Sequence, residues 1–165
     1  MEKKKVAVVG YGGQGGWHAN HILKSDVAEL AGIYDIKEER NEIARKNGMR
    51  VYDSFEAVLS DPAVDIVTVA TPNDVHEELV VAALNAGKNV ICEKPVALSL
   101  ESFDRMVAAA NKNGKKFSVH QNRRWDVDYL AMKQVKESGM IGDIINLESR
   151  IHGSRGIPSD WRGLK

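Results

Sequence analysis

The chain has 165 residues with 23 basic and 23 acidic side chains, and this zero net charge excludes bulk electrostatic attraction to nucleic acid or to anionic membranes. No apolar stretch reaches the length of a membrane span, and the basic start leads into too short an apolar run for a signal peptide. The single cysteine, Cys92, excludes an internal disulfide and fits a reducing cytoplasm.

The first predicted element is a buried parallel strand over residues 6–9, followed directly by a G-x-G-x-x-G turn. In such a turn Gly10 permits the tight bend, Gly12 admits a pyrophosphate, and Gly15 lets the next helix pack on the strand. A helix that begins there directs its free N–H groups and the positive end of its dipole at the phosphates. The turn residues predicted to contact a cofactor are Gly10, Gly12, Gly13, Gln14 and Gly15.

A second apolar run, residues 30–34, ends at Asp35, where a carboxylate can accept a hydrogen bond from a ribose 2′-hydroxyl. The same charge would repel a 2′-phosphate, so NAD is predicted in preference to NADP. A bare G-x-G-x-x-G is a weak motif, but here strand, glycines, helix, second strand and acid occur in the expected order. The alternatives are a plain structural turn or a methyltransferase, which usually carries a glycine in place of Gln14.

The rest of the chain alternates strand-like and helix-like segments with short links. Further strands are predicted over residues 49–52, 66–70, 89–92 and 116–120. The helices between them have predicted N-caps at Ser54, at Asn73 or Asp74, and at Ser99, with stops at Gly87 and Gly114. This alternation predicts an α/β fold, a doubly wound parallel Rossmann sheet with right-handed crossovers.

Beyond Gln121 the pattern changes, so we predict a dinucleotide-binding domain over residues 1–122 and a second region over residues 123–165. A helix over residues 126–138 is expected to bury Val127, Leu130 and Val135 against the first domain. Residues 144–151 alternate like a strand, but one strand cannot form a sheet. The second region is therefore interpreted as the truncated start of another α/β domain.

Ligands of an open parallel sheet bind beyond the carboxyl ends of its strands, near the point where the strand order reverses. Besides the glycine turn, three loops follow predicted strands and so lie on that side, at residues 71–76, 93–95 and 121–125. These loops contain Thr-Pro-Asn-Asp-Val-His, Glu-Lys-Pro and Gln-Asn-Arg-Arg-Trp. We expect the functional side chains to come from them.

Together these segments resemble the Gfo/Idh/MocA dehydrogenases, the family of glucose–fructose oxidoreductase and inositol 2-dehydrogenase. The resemblance extends over essentially the whole chain, and the Glu-Lys-Pro tripeptide behind an Ala-Gly-Lys turn is its most specific part. It implies hydride exchange between a nicotinamide and a sugar or cyclitol hydroxyl. It also implies that members continue into a second α/β domain, which supplies an Asp and a His for proton transfer and mediates oligomerisation.

Carried over by this resemblance, Lys94 is the active-site lysine, which contacts the reacting hydroxyl and assists proton transfer. The alternative is a solvated surface lysine, as most lysines are. Glu93 is expected to bind the cofactor ribose or to orient Lys94, or else only to pair with a nearby cation. Pro95 follows Lys94 in a peptide bond whose isomer the sequence leaves open.

The remaining site residues also rest on the resemblance. Those expected near the cofactor are Ala70, Thr71, Pro72, Asn73, His76 and Asn122. Asn73 could instead only cap a helix, and His76 could be a satisfied first-turn histidine. Trp161 and Arg162 resemble a segment that touches cofactor or substrate, Cys92 is interpreted as a small buried strand residue, and no metal site is predicted.

The sequence therefore predicts the NAD-binding domain of a cytoplasmic sugar or cyclitol dehydrogenase that is homo-oligomeric at full length. This chain alone is expected to bind the cofactor without full catalysis. The alternative is a non-catalytic NAD-binding sensor or partner-binding module. Neither nucleic acid nor membrane is an expected partner.

Overall fold

The computed structural model describes residues 2–150 of the chain, which divides into two compact units, one ending at Gln121 and one beginning at Asn122. The strands of the first unit are β1 (Lys4–Val9), β2 (Ala28–Tyr34), β3 (Ile66–Val69), β4 (Asn89–Cys92) and β5 (Phe117–Val119). Its α-helices are α1 (Gly13–Ile22), α2 (Glu38–Lys46), α3 (Phe55–Ser60), α4 (His76–Asn85) and α5 (Leu100–Asn113). The second unit contains α6 (Val127–Glu137).

The five strands form one sheet in the order β2-β1-β3-β4-β5, and every neighbouring pair is parallel. The chain moves from β1 to one edge and then returns past β1 to build the other half. The strand order therefore reverses beside β1, and this reversal places a ligand crevice at the carboxyl ends of β1 and its neighbours. The prediction of a doubly wound Rossmann sheet is confirmed.

Helices cover both faces of the sheet, as the apolar strands require. Along β1 the side chains of Ala7 and Val9 belong to the core cluster that includes residues of α3, α4 and α5. Val8 belongs to a second cluster with residues of α1 and α2. Because neighbouring residues of a strand point to opposite faces, one short run of small and β-branched residues contributes to both cores.

The helix ends agree with the predicted turn chemistry at four of five positions. Ser54 Oγ accepts a hydrogen bond from the N–H of Ala57, and Ser99 Oγ accepts one in the same way at the start of α5. Gly87 and Gly114 adopt the left-handed conformation, with φ of 79° and 61°. The predicted cap at Asn73 or Asp74 is wrong, because those two residues lie inside a 3₁₀ turn and no side chain caps α4.

The strand predicted over residues 49–52 is reduced to a single bridge. Val51 pairs with Ile33 in parallel, and the N–H of Tyr52 donates to the Ile33 carbonyl at 2.8 Å. The physical reason lies in the flanking helix ends: Gly48, with φ of 75°, belongs to the turn that ends α2, and Ser54 already caps α3. Between them the chain pairs with β2 only at Val51.

Beside this bridge, Tyr52 is buried at 4% exposure and its hydroxyl donates to Asp61 Oδ2 at 2.8 Å. Burial, followed by that hydrogen bond, raises the pKa of Tyr52 to about 12. A pKa that is higher in the folded than in the unfolded chain stabilises the fold below pH 10. That contribution is lost as the pH rises from 10 to 12.

We therefore expect the unfolding free energy of the native sequence to fall between pH 9 and pH 12 by about 2–3 kcal/mol more than that of Tyr52→Phe. The measurement is urea unfolding across this pH range. Tyr129→Phe, which removes an exposed phenol, is the matched control. Parallel pH curves for the native sequence and Tyr52→Phe would contradict the prediction.

The helix predicted over residues 126–138 is present as α6 (Val127–Glu137). Its burial against the first domain stays a prediction, because apolar spacing identifies a helix face without identifying what covers it. Residues 144–150 form no strand, and residue 151 lies outside the described residues. Across residues 2–150, no helix has both the length and the apolar character needed to cross a bilayer.

Candidate cofactor-binding and catalytic site

The glycine turn after β1 is closed by contacts that only glycine permits. Gly10 has φ of 90°, and a Cβ on it would lie 2.7 Å from the Ala70 carbonyl oxygen. A Cβ on Gly15 would lie 1.7 Å from the Gly10 carbonyl oxygen. Above Gly12 and Gly13, in contrast, a Cβ would meet no atom within 4 Å. Tight packing beneath the turn and open space above it match the needs of a bound pyrophosphate.

Asp35 is held against this turn at the end of β2. Its Oδ2 accepts the N–H of Tyr11 at 2.6 Å, and its Oδ1 accepts the N–H of Lys37 at 2.8 Å. The Gly10 N–H donates to the Tyr34 carbonyl at 2.8 Å, which fastens the turn to β2. The carboxylate is therefore fixed by backbone donors beside the glycines, at the position predicted from the sequence.

The loop after β3 contains a buried hydroxyl without a partner. The Ala70 N–H still donates to Val9 at 2.8 Å as the strand ends, and Pro72 and Asn73 lead into the 3₁₀ turn. Thr71 Oγ1 is the single buried side-chain oxygen or nitrogen among residues 2–150 that makes no hydrogen bond. A buried hydroxyl of this kind costs free energy unless a ligand satisfies it.

His76 joins this loop to the loop after β4. Its ring is fully buried, its Nδ1 lies 3.1 Å from the Pro95 carbonyl oxygen, and its Nε2 lies 3.0 Å from the Thr71 carbonyl oxygen. Both ring nitrogens thus face backbone carbonyls. The ring therefore has internal partners, and a cofactor contact by His76 stays a prediction.

The Glu-Lys-Pro tripeptide follows β4, with Lys94 exposed and Glu93 buried. The Lys94 N–H donates to Glu93 Oε2 at 3.2 Å, and the Glu93 N–H donates to the Val69 carbonyl at 2.9 Å. The peptide bond between Lys94 and Pro95 is cis. The buried carboxylate thus supports the backbone at the lysine, whose ammonium forms no hydrogen bond or ion pair within residues 2–150.

Glu93 also joins the tripeptide to α1. Its Oε1 accepts a hydrogen bond from Gln14 at 3.2 Å and lies 2.8 Å from both His18 Nε2 and His120 Nδ1. Burial would raise the pKa of Glu93, but hydrogen bonds from His18, Gln14 and His120 outweigh it and lower the pKa to about 2. The carboxylate is therefore ionised at neutral pH.

The sequence did not reveal His18 and His120 as part of the site. They are far apart along the chain and match no metal or catalytic spacing. The parallel topology supplied a partial signal, since His120 follows β5 and Glu93 follows β4, so both lie at the carboxyl edge of the sheet. Cys92, just before Glu93, is buried as predicted.

The contacts described above do not test two groups of predicted residues. Asn122 begins a 3₁₀ turn, Asn122–Trp125, in the second unit, and its side chain is partly buried. Trp161 and Arg162 lie outside the described residues. Their assignment to cofactor or substrate stays a prediction.

The residues of the first unit fit a bound dinucleotide. The space above Gly12, the fixed Asp35 carboxylate and the unpartnered Thr71 hydroxyl lie at successive strand ends of one sheet edge. The model of the oxidoreductase family with an NAD-binding Rossmann fold, GFO_IDH_MocA, matches residues 4–121. The chain belongs to this family.

Within the family, the chain is 35% identical to a myo-inositol 2-dehydrogenase of Thermotoga maritima, over 88% of this chain and 45% of that protein. It is 34% identical to the scyllo-inositol 2-dehydrogenase (NADP⁺) IolW of Bacillus subtilis, over 85% of this chain and 39% of that one. The chain thus spans less than half the length of these relatives.

Solved structures of family-like proteins agree with the fold. An NAD-binding protein from Listeria innocua superimposes with a TM-score of 0.93 at 47% identity, covering 97% of this chain and 48% of that one. GenD2 from gentamicin A biosynthesis, solved in complex with NAD, gives a TM-score of 0.79 at 30% identity, covering 84% and 40%. The family therefore identifies the glycine turn as part of an NAD-binding Rossmann domain.

Proposed function

We propose that this chain is the NAD-binding part of a dehydrogenase that transfers a hydride between nicotinamide and a sugar or cyclitol hydroxyl. The observation that carries the proposal is the exposed Lys94 on a tripeptide whose Glu93 is hydrogen-bonded to Gln14 of the glycine turn. This link connects the lysine to the phosphate-binding turn. The inositol dehydrogenases among the relatives support a cyclitol or sugar as the substrate class.

Lys94 is the proposed catalytic residue. A bound nicotinamide would supply the hydride acceptor, and the hydroxyl proton would pass to the Asp and His that the family resemblance assigns to the second domain. A flexible ammonium at a strand end can donate a hydrogen bond to the reacting oxygen and stabilise the negative charge that develops there. Glu93 holds the Lys94 backbone in position through its Oε2.

The proposed cofactor contacts extend over the same edge of the sheet. The glycine turn receives the pyrophosphate and Asp35 receives the adenosine ribose, while residues 70–73 receive the nicotinamide half. Asn122 is included on the family resemblance alone. The complete protein is further proposed to be a cytoplasmic homo-oligomer, with groups beyond this chain completing the substrate site.

The test combines a binding and a turnover measurement. Isothermal titration of NAD⁺ into the purified chain is expected to show binding, whereas the 165-residue chain with myo-inositol or hexoses is expected to form no NADH. The product of the complete reading frame is expected to form NADH. If that product binds NAD⁺ but oxidises no polyol, the alternative of a non-catalytic NAD-binding module replaces the proposal.

We expect NAD⁺ to bind more tightly than NADP⁺, because a 2′-phosphate would approach the Asp35 carboxylate and close like charges cost several kcal/mol. Asp35→Ser should weaken NAD⁺ binding and narrow the difference between the two cofactors. Titration of both cofactors into both proteins measures this.

Asp26→Ser is the matched control, since it removes an exposed acid of equal charge just before β2 rather than just after it. It should leave the preference unchanged. Lys37 and Arg40 lie close in sequence and could reduce the repulsion. Tighter binding of NADP⁺ than of NAD⁺ by the native sequence would refute the assignment.

A further inference from the structure

Three side chains that ligate metals in other proteins converge behind the Glu-Lys-Pro tripeptide. They form what we call the His–Glu–His cluster: His18 of α1, Glu93 after β4 and His120 after β5. His18 Nε2 and His120 Nδ1 each lie 2.8 Å from Glu93 Oε1, and the three donor atoms are all within 4.8 Å of one another. The exposed fractions of the side chains are 9%, 6% and 21% in that order.

These separations are close to those of a coordination sphere. Zinc–nitrogen and zinc–oxygen distances of about 2.0–2.2 Å place neighbouring donors of a tetrahedral site about 3.3 Å apart. The two nitrogen–oxygen distances in the cluster need to lengthen by only about half an ångström to reach that value. Two imidazoles and one carboxylate also form a donor set that zinc uses when a fourth position stays open to water.

The partners of Glu93 are a second observation at the site. Its side chain is buried, and within residues 2–150 no lysine or arginine forms an ion pair with it. Buried carboxylates in proteins are generally hydrogen-bonded, paired or bound to metals. Here the groups that face the carboxylate are two imidazoles and the Gln14 amide.

The surroundings would hold the cluster in place around an ion. Glu93 Oε2 accepts the Lys94 N–H, so the second carboxylate oxygen is oriented by the backbone, as ligating carboxylates commonly are. The Trp17 ring centroid lies 5.3 Å from that of His18 and 5.5 Å from that of His120. This ring, itself 40% exposed, flanks both imidazoles of the cluster.

We propose that the His–Glu–His cluster binds a divalent ion of the zinc class through His18 Nε2, Glu93 Oε1 and His120 Nδ1. Water or the Gln14 amide oxygen supplies the fourth ligand. Each ligating ring nitrogen then carries no proton, and the proton of each imidazole lies on its other ring nitrogen. This site was not predicted from the sequence, and it does not depend on the proposed activity.

The test is titration of Zn²⁺ and Co²⁺ into the chelator-treated chain without NAD, followed by calorimetry and by the visible absorption of tetrahedral cobalt. We expect one ion per chain with micromolar or tighter affinity. His18→Gln and His120→Asn each place an amide N–H where the imidazole donor stood, so they keep a hydrogen bond to Glu93 but remove a ligand. Each variant should lower the Zn²⁺ affinity by more than about a hundredfold. Losing a residue that only hydrogen-bonds to a ligand costs about 10–100-fold, so a larger loss identifies a direct ligand.

His21→Gln is the matched control, because His21 is an exposed histidine of the same helix that also stacks on Trp17. It should bind Zn²⁺ as the native sequence does. His120 is the less buried ligand, so His120→Asn serves if His18→Gln does not fold. Absence of Zn²⁺ binding at micromolar concentration, or equal affinity of the native sequence and His120→Asn, would show that the cluster is only a hydrogen-bonded network.

Discussion

Replacing Gly15 by alanine is expected to lower the unfolding free energy by about 4 kcal/mol or more, a loss that single substitutions reach only when they severely disrupt the backbone or the core. The new Cβ would lie 1.7 Å from the Gly10 carbonyl oxygen. That oxygen belongs to a backbone turn fastened to β2 at Tyr34, so it cannot rotate away as a side chain could. Either α1 or the turn must move, and both carry the proposed phosphate contacts.

The matched control is Gly12→Ala, which adds the same methyl group three residues earlier. Gly12 has φ of −83°, which alanine adopts readily, and its Cβ would meet no atom within 4 Å. We expect this variant to keep the native unfolding free energy and to lose NAD⁺ affinity, because the methyl group occupies the space proposed for the pyrophosphate. Urea unfolding and NAD⁺ titration measure the two effects separately. Equal stability of the Gly15 and Gly12 variants would refute the packing argument.

Lys94→Ala is expected to lower kcat in the product of the complete reading frame by about 10²–10⁴-fold, the usual contribution of one positioned acid–base group. The affinity for NAD⁺ should change far less, because the phosphate and ribose contacts proposed above come from other residues. Lys94→Arg should stay impaired, since a planar guanidinium does not replace a compact ammonium at one oxygen atom.

Lys112→Ala controls for the loss of one positive charge, because Lys112 is exposed in the last turn of α5. It should retain native turnover. The measurements are steady-state NADH formation and NAD⁺ titration on the same preparations. Unchanged kcat and unchanged NAD⁺ affinity in Lys94→Ala would show that Lys94 takes no part in the reaction. Unchanged kcat with weaker NAD⁺ affinity would show that Lys94 binds the cofactor instead.

The fold was predictable to the extent that local signals determine it. The strands β1, β3 and β4 are short apolar runs, and Ser54 and Ser99 cap α3 and α5, so pattern and turn chemistry agreed at these elements. The reduction of the strand predicted over residues 49–52 to one bridge was not predictable, because it depends on how far the turn at Gly48 and the cap at Ser54 extend into the connection between α2 and α3.

Side-chain partners beyond the motifs required the structure. His18 and His120 belong to no spacing rule, and their shared contact with Glu93 depends on how α1, which packs against β1 and β2, reaches the residues that follow β4 and β5. Similarly, the His76 sequence position suits either a cofactor contact or an internal bridge. Only the structure shows the two carbonyl groups that face its ring.

The Thr71 hydroxyl has a consequence for the ligand-free state. Within residues 2–150 its oxygen is buried and makes no hydrogen bond, and leaving such a group unsatisfied costs about 1–3 kcal/mol. A ligand that hydrogen-bonds to the oxygen would remove this cost, so one atom that contributes nothing to folding could add to the affinity of the complex. An apolar residue of equal shape at this position would forgo that gain.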